Sequence, residues 1–153
     1  MFERLSFCKD LDMQIISILS YPSNDKVYID KTIELGKTLF GERFVPIVDW
    51  MSYEKYIDLL NSVDVALFEG DVQMGAGNIF NLIYLGKKVY LSSSNSNYEN
   101  LKAQGVICFA KEEVQNGNIL IPLTEDEKKI NKEKMVKLLS DESFKEKWDK
   151  VFA

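Results

Sequence analysis

The sequence predicts an α/β protein with a Rossmann-like open parallel sheet and helices on both faces. Apolar runs of strand length alternate with helical patterns along most of the chain. The clearest unit is Asp64 to Leu91, DVALFEGDVQMGAGNIFNLIYLGKKVYL, which reads as strand, glycine-punctuated loop, helix and strand. Such a βαβ unit places its loop at the carboxyl end of a parallel strand, where open α/β sheets bind their ligands.

The first half of the chain supplies two strands and the helices around them. The spacing of Phe2, Leu5 and Cys8 predicts the tail of a helix, and the β-branched run Met13–Tyr21 predicts a central parallel strand buried on both faces. The remaining elements are a helix from about Asp25 to Phe40 that ends at Gly41, a strand Phe44–Trp50 whose Pro46 suits a sheet edge, and a helix capped by Ser52 that runs to about Ser62.

The second half continues the alternation and then becomes charged. It predicts a strand Asp64–Phe68, a helix from about Gly77 to Leu85, a strand over residues 87–93, a helix from about Asn97 to Gln104 and a strand over residues 106–110. Asn116-Gly117 marks a turn, and Ile119–Leu123 forms either a small strand or a segment lying on the sheet. C-terminal helices follow over about 125–153, the first with a stripe of Ile130, Met135, Leu138 and Leu139, the last docking by Phe144, Trp148 and Phe152.

The composition of the chain limits the classes of function that it can have. A chain of 153 residues with 46% hydrophobic and 28% charged residues predicts one domain over residues 1–153. The net charge of -5 argues against nucleic acid as a partner, since that needs a basic face. Because no apolar run approaches the roughly 20 residues of a membrane span and the start does not read as a secretory signal, we expect a cytoplasmic protein.

The absence of histidine limits the chemistry. With no His in the chain, triads that use imidazole and His-ligated metals are excluded within it. Cys8 and Cys108 lack the paired spacing of a zinc or redox motif, so we expect both to be reduced, buried and inert.

The loop after the DVALF strand has two open interpretations. Gly70, Gly75 and Gly77 let its backbone approach a ligand, and the following helix directs its first N–H groups to the same place, which suits a diphosphate. The spacing is neither GxGxxG nor a P-loop, so the glycines could equally serve only to bend the chain.

Polar and aromatic side chains flank this loop. Glu69, Asp71, Gln73 and Asn78 could meet hydroxyl groups of a sugar or ribose, and Asn78 could instead cap the helix. Two carboxylates repel a phosphate unless a lysine offsets them, so they suit hydroxyls better. At the exit of the first strand, Tyr21 or Tyr28 could stack on a base, or could simply pack.

Three segments together resemble a known family. They are ISILSYPSNDKVYIDKTIELGKTLF, SYEKYIDLLNSVDVALF and QMGAGNIFNLIYLGKKVYL, within roughly Met13 to Ala110. They resemble the carboxyl-terminal half of the bacterial TDP-Fuc4NAc:lipid II Fuc4NAc transferases, also labelled 4-alpha-L-fucosyltransferases. The resemblance implies a GT-B glycosyltransferase whose second half binds a nucleotide sugar, such as a dTDP-linked deoxyamino sugar, without metal or other cofactor.

The resemblance also implies site residues, an acceptor and a place in the cell. The donor-binding positions would be Tyr21, Asn24, Tyr28, Phe68, Glu69, Gln73, Gly75, Gly77 and Asn78; no catalytic residue is identified. The acceptor would be the lipid-linked precursor of a glycan like enterobacterial common antigen, reached through an N-terminal domain that this sequence does not contain. The chain alone is therefore expected to be inactive, and the enzyme to work in the cytoplasm or at the inner face of the cytoplasmic membrane.

The sequence departs from the family at the loop. Glu69 stands where the family carries Asn, and Val72-Gln73-Met74 stands where it carries Arg-Gln-Gln, so a cation suited to a diphosphate is missing. These departures support an alternative, a non-catalytic Rossmann-like remnant or interaction domain that lacks its first strand. It would oligomerise through the exposed sheet edge, which a second copy in a homodimer or a partner chain could cover. A signalling domain of flavodoxin type fits less well, because the paired acidic residues after the first strand are absent.

Overall fold

This computed structural model describes residues 2–20, 25–71, 75–114 and 118–142. It confirms an open α/β, Rossmann-like fold with parallel strands. Contacts divide the chain into two compact units, residues 1–57 and residues 58–153. The prediction of a single domain stays a prediction. No helix in the described residues has both the length and the apolar character of a membrane span.

The first unit is a two-stranded parallel sheet with helical segments. Ile15 lies opposite Phe44 and Ile18 opposite Ile47 in the ladder. In chain order its elements are a 3-10 helix Phe2–Asp10, β1 (Ile15–Ile18), α1 (Lys26–Phe40), a 3-10 turn Gly41–Arg43 and β2 (Phe44–Ile47).

Local chemistry sets the bounds of α1. The side chain of Asp25 accepts a hydrogen bond from the Tyr28 N–H (3.1 Å), which satisfies one of the donors left unpaired at a helix start. Gly41 ends the helix with φ of 59°, a conformation that costs glycine nothing. The ring of Phe44 lies against Gly36, where any side chain would collide with it. The predicted bounds of this helix are therefore confirmed.

β1 is shorter and more exposed than the sequence predicts. The apolar run Met13–Tyr21 suggested a strand buried on both faces, but the strand covers Ile15–Ile18 and Ile18 is 44% exposed. Among the described strands β1 pairs only with β2, so one long edge lacks the neighbour that would bury it. Pro46 lies in β2, at an edge of this two-stranded sheet, as expected.

The second unit is built on three parallel strands in the order β3-β4-β5. The central strand β4 (Lys88–Leu91) is buried at every residue, and α3 packs on it through Ile79 and Ile83, which are fully buried. Around it the elements are α2 (Tyr53–Ser62, which begins before residue 58), β3 (Val65–Phe68), α3 (Ala76–Tyr84), α4 (Ser96–Ala103), β5 (Phe109–Ala110) and α5 (Glu125–Leu138).

The segment between β5 and α5 is helical rather than a strand where it is described. It forms 3-10 turns at Lys111–Glu113 and Asn118–Leu120, and Ile119 and Leu123 are buried. The predicted turn at Asn116-Gly117 and the last predicted helix, with Phe144, Trp148 and Phe152, lie outside the described residues. Of the two interpretations of residues 119–123, the structure favours a segment lying on the unit's core.

The buried face of α5 differs from the predicted stripe. Met135 and Asn131 are fully buried, whereas Ile130 and Leu139 are exposed. Residues 131, 135 and 138 share one helix face, and the polar member was overlooked because its partner is backbone. The Oδ1 of Asn131 accepts from the Ile107 N–H (2.7 Å) and its Nδ2 donates to the Ile107 carbonyl (2.9 Å). One side chain thus attaches α5 to the chain just before β5.

Replacing Asn131 tests this attachment. Asn131→Ala leaves both polar groups of Ile107 without their partner, so we expect a loss of about 2–4 kcal/mol in the free energy of unfolding by urea. Asn131→Asp keeps the acceptor and loses the donor, and Lys129→Ala is the exposed control on the same helix. Equal stability of the Asn131→Ala and Lys129→Ala variants would contradict the assignment.

Both cysteines are free and buried, as predicted. Burial raises the pKa of the Cys8 thiol. Burial also raises the pKa of Cys108 from 9.0 to about 11, although the positive charge of Lys102 opposes the rise. A raised thiol pKa keeps the neutral form dominant at neutral pH, which accounts for an unreactive thiol.

The Cys108 thiol predicts a pH dependence. Its folded pKa lies above the unfolded value, so it stabilises the fold below pH 9 and this contribution is lost as the pH rises from 9 toward 11. Compared with Cys108→Ala, the wild type should lose on the order of 2 kcal/mol of unfolding free energy across that interval. Urea unfolding at several pH values measures this, and parallel curves for the two proteins would contradict it.

Candidate functional site

The candidate site lies where the three strands of the second unit end. Phe68, Leu91 and Ala110 are in register across the sheet and are the last residues of β3, β4 and β5. The polar residues that directly follow these strands therefore meet at one edge. We call them the carboxyl-edge cluster: Glu69, Asp71, Ser92, Asn95 and Lys111.

Lys111 is the centre of this cluster. Its ammonium donates to the main-chain carbonyl of Glu69 (2.9 Å) and to Oδ1 of Asp71 (3.2 Å), and it lies 3.7 Å from Oε2 of Glu69. The lysine side chain is only 14% exposed, whereas that of Asp71 is 66% exposed. One positive charge therefore offsets part of the negative charge of two carboxylates. A phosphate near these carboxylates would need such a lysine.

Two residues that follow β4 bond to Gly70 and Asp71. The hydroxyl of Ser92 donates to Oδ1 of Asp71. Nδ2 of Asn95 donates to the carbonyl of Gly70 (2.9 Å), while its Oδ1 accepts from the Asn97 N–H (2.9 Å) and so caps α4. The bond from Ser92, followed by the bond and charge of Lys111, holds the pKa of Asp71 below its usual value. Asp71 is therefore a carboxylate at neutral pH.

The amino end of α3 offers main-chain donors beside this loop. Ile79 is the residue whose N–H bonds to the carbonyl of Gly75 (3.0 Å), and Gly75 has no side chain with which to cap the helix. The N–H groups of Ala76, Gly77 and Asn78 precede the first intrahelical bond, so the helix itself gives them no acceptor. Amides at the positive end of a helix dipole are a donor set that favours an anion.

The two glycines of this helix start have different roles. Gly75 has φ of 71°, a left-handed conformation, so the turn itself calls for glycine. Gly77 has no positive φ, and no described atom lies within 4 Å of the Cβ it would carry. Backbone geometry thus accounts for Gly75 and leaves Gly77 unexplained, although alanine would suit an exposed helical position better.

The structure brings part of the predicted site together. Phe68 and Glu69 lie at the end of β3, and the Cβ that Gly75 would carry lies 3.8 Å from the Phe68 ring and 3.9 Å from Nδ2 of Asn78. Gly77 is on the same helix turn. Asn78 is the third residue of α3, and the cap position belongs to Gly75, so its interpretation as the cap is wrong.

The other predicted positions are not assembled by the described structure. Tyr28 belongs to the first unit, on α1, and is 57% exposed. Tyr21, Asn24 and Gln73 lie outside the described residues. The assignment of all these residues to a donor site stays a prediction.

Sequence reasoning missed three members of the cluster: Ser92, Asn95 and Lys111. Ser92 and Lys111 are each the first residue after a strand, and Asn95 stands just before a helix. The position directly after a parallel strand, which Glu69 also occupies, is the signal in the sequence that points to Ser92 and Lys111.

Apart from the carboxyl-edge cluster, a cavity lies against β4 near its amino end. It has a volume of about 270 Å³ and is lined by Lys88, Tyr90, Phe109 and residues of the segment leading to α5. The Lys88 ammonium donates to the carbonyls of Asn118 (2.5 Å) and Ile121 (2.9 Å), and burial lowers its pKa against the opposing charge of Glu127. This lysine serves to satisfy the carbonyls of the covering segment.

Metal ligands are not grouped in the described parts of the chain. Among those residues, no three His, Cys, Asp or Glu side chains lie close enough together to hold an ion.

The fold and the candidate site indicate the class of protein, and the family follows from a comparison with known proteins. The chain is a Rossmann-like α/β protein with a candidate ligand site at the carboxyl ends of parallel strands. The family model described as 4-alpha-L-fucosyltransferase, glycosyl transferase group 56, matches residues 5–153. The chain therefore belongs to this family of glycosyltransferases, and the predicted resemblance is confirmed. No solved structure matches it.

The two glycines give a matched test of the helix start. Gly75→Ala should lower the free energy of unfolding by about 1–2 kcal/mol, because alanine is strained at positive φ. Gly77→Ala should cost no stability, because the backbone is helical and no atom of the described residues lies within 4 Å of the added methyl group. Urea unfolding of both variants checks this, and a Gly77→Ala variant as unstable as Gly75→Ala would show that Gly77 is structural.

Proposed function

We propose that this chain is the donor-binding part of a GT-B glycosyltransferase that transfers a deoxyamino sugar from a dTDP-linked donor such as TDP-Fuc4NAc. The acceptor is a lipid-linked precursor of a cell-surface glycan like enterobacterial common antigen, held by a separate acceptor domain. The transfer takes place in the cytoplasm, at the inner face of the cytoplasmic membrane. Family membership supports transfer of a sugar, and the structure supports the place of the donor.

The observation that carries the proposal is Gly77 at the amino end of α3. It lies among three amides that the helix leaves without acceptors, and the described residues give it no structural reason to be glycine. A diphosphate that approaches the backbone closely supplies that reason. The donor's diphosphate is the leaving group, so the amides and the helix dipole stabilise the negative charge that develops on it during transfer.

The carboxylates fit a different part of the donor. Glu69 and Asp71 together outweigh the single charge of Lys111, so this side of the loop suits hydroxyl groups rather than phosphate. The site's contribution to rate is then positioning and stabilisation of the leaving group. The base that activates the acceptor comes from the acceptor domain.

The alternative, a non-catalytic remnant that forms a homodimer, is favoured by one observation. Lys111 already bonds to Glu69 and Asp71, and Val72 replaces the family arginine, so the described loop offers little positive charge to a diphosphate. This alternative predicts a stable fold without affinity for nucleotides.

Nucleotide titration separates the two. We expect dTDP, with UDP for comparison, to shift the amide NMR signals of Gly75, Gly77 and Asn78 at concentrations up to millimolar. Gly77→Ala should weaken binding by tenfold or more without loss of stability, because its methyl group stands where the diphosphate approaches. Asn81→Ala, further along the same helix and exposed, is the control.

The absence of any amide shift in the wild type at millimolar dTDP and UDP would overturn the donor proposal. Light scattering on the same sample then tests the alternative, which expects a dimer. Shifts that are equal in the wild type and in Gly77→Ala would place the nucleotide elsewhere.

A further inference from the structure

We propose that Lys111 is a positioning residue which, with Ser92 and Asn95, fixes the path of residues 69–71, where the chain leaves β3. The proposal concerns the free protein first. Its consequence for donor binding rests on the proposed function.

Three consecutive loop residues are each held from another strand end. Lys111, after β5, bonds to the carbonyl of Glu69. Asn95, after β4, bonds to the carbonyl of Gly70. Asp71 receives bonds from both sides, from Ser92 and from Lys111. Side chains that follow β4 and β5 therefore bond to each of the three residues that follow β3.

The lysine does more than form an ion pair. An ion pair whose carboxylate is largely exposed, as in Lys111 and Asp71, contributes little stability by itself. Lys111 also donates to a main-chain carbonyl from a side chain that is largely buried, and this bond sets the direction of the peptide after β3. In addition, it separates two carboxylates that would otherwise repel one another at the same turn.

The contacts favour a role in positioning rather than in holding the core. Gly70 and Asp71 are exposed, and the hydrophobic residues buried in the second unit lie on the strands and helices beside them. Asp71 is four residues before Gly75, where α3 is capped. Residues 69–71 are therefore separated from the amino end of α3 by only three positions of the sequence.

The first experiment needs no ligand. NMR compares the wild type with Lys111→Met, Lys111→Arg and Lys129→Met, the last being the exposed control on α5. Lys111→Met should shift the amide signals of Gly70, Asp71 and Gly75 and raise the pKa of the Asp71 carboxyl, because a bond and a positive charge are removed. Lys111→Arg should restore most of both effects, and Lys129→Met should show neither.

A second variant guards against a fold defect in Lys111→Met. Ser92→Ala keeps every charge and removes the bond that lowers the pKa of Asp71 most, so it should raise that pKa and shift the same amides. The proposal is overturned if folded Lys111→Met and Ser92→Ala both match Lys129→Met in these signals and in the Asp71 titration.

The nucleotide arm tests the consequence for binding. If dTDP or UDP binds the wild type, Lys111→Met should weaken that binding at least fivefold, with recovery in Lys111→Arg. Unchanged affinity in Lys111→Met would overturn this consequence. If neither nucleotide binds the wild type, the proposed function fails, while the ligand-free measurements still decide whether Lys111 positions the loop.

Discussion

The burial of β4 between β3 and β5 is the constraint on which the second unit depends. Val89, Tyr90 and Leu91 are almost completely buried, and a parallel strand buried on both faces must have neighbours in register on each side. In-register parallel strands end at the same level. The residue after each strand is therefore brought to one edge, and the polar cluster there follows from the packing of the apolar strand beneath it.

The electrostatics of that edge explain how two carboxylates can lie close to one another at the end of β3. The carboxylates of Glu69 and Asp71 would repel one another without a nearby cation. Lys111 arrives from the end of β5 and bonds to both the backbone and the acidic side chains. The lysine thus bonds to residues 69 and 71, while the amides at the start of α3 have no acceptor within the helix itself.

Sequence reasoning predicted the elements better than their surroundings. The helix of residues 26–40 follows from Asp25 and Gly41, whose preferences are local. The predicted burial of β1 was too high. A β-branched run indicates a strand, but the burial of that strand depends on the elements that pack against it. Asn131 was overlooked in α5 because a polar residue is buried only where a backbone partner meets it, here Ile107.

The sequence by itself determined the alternation of strands and helices, the loop before α3 and the family, since these depend on apolar periodicity, glycine positions and short motifs. Only the tertiary structure decided which polar residues meet. Glu69, Asp71, Ser92 and Lys111 are spread over more than forty positions, and contacts at that separation arise from strand register. Register depends on which strand faces are buried against their neighbours, and those neighbours are distant in the sequence.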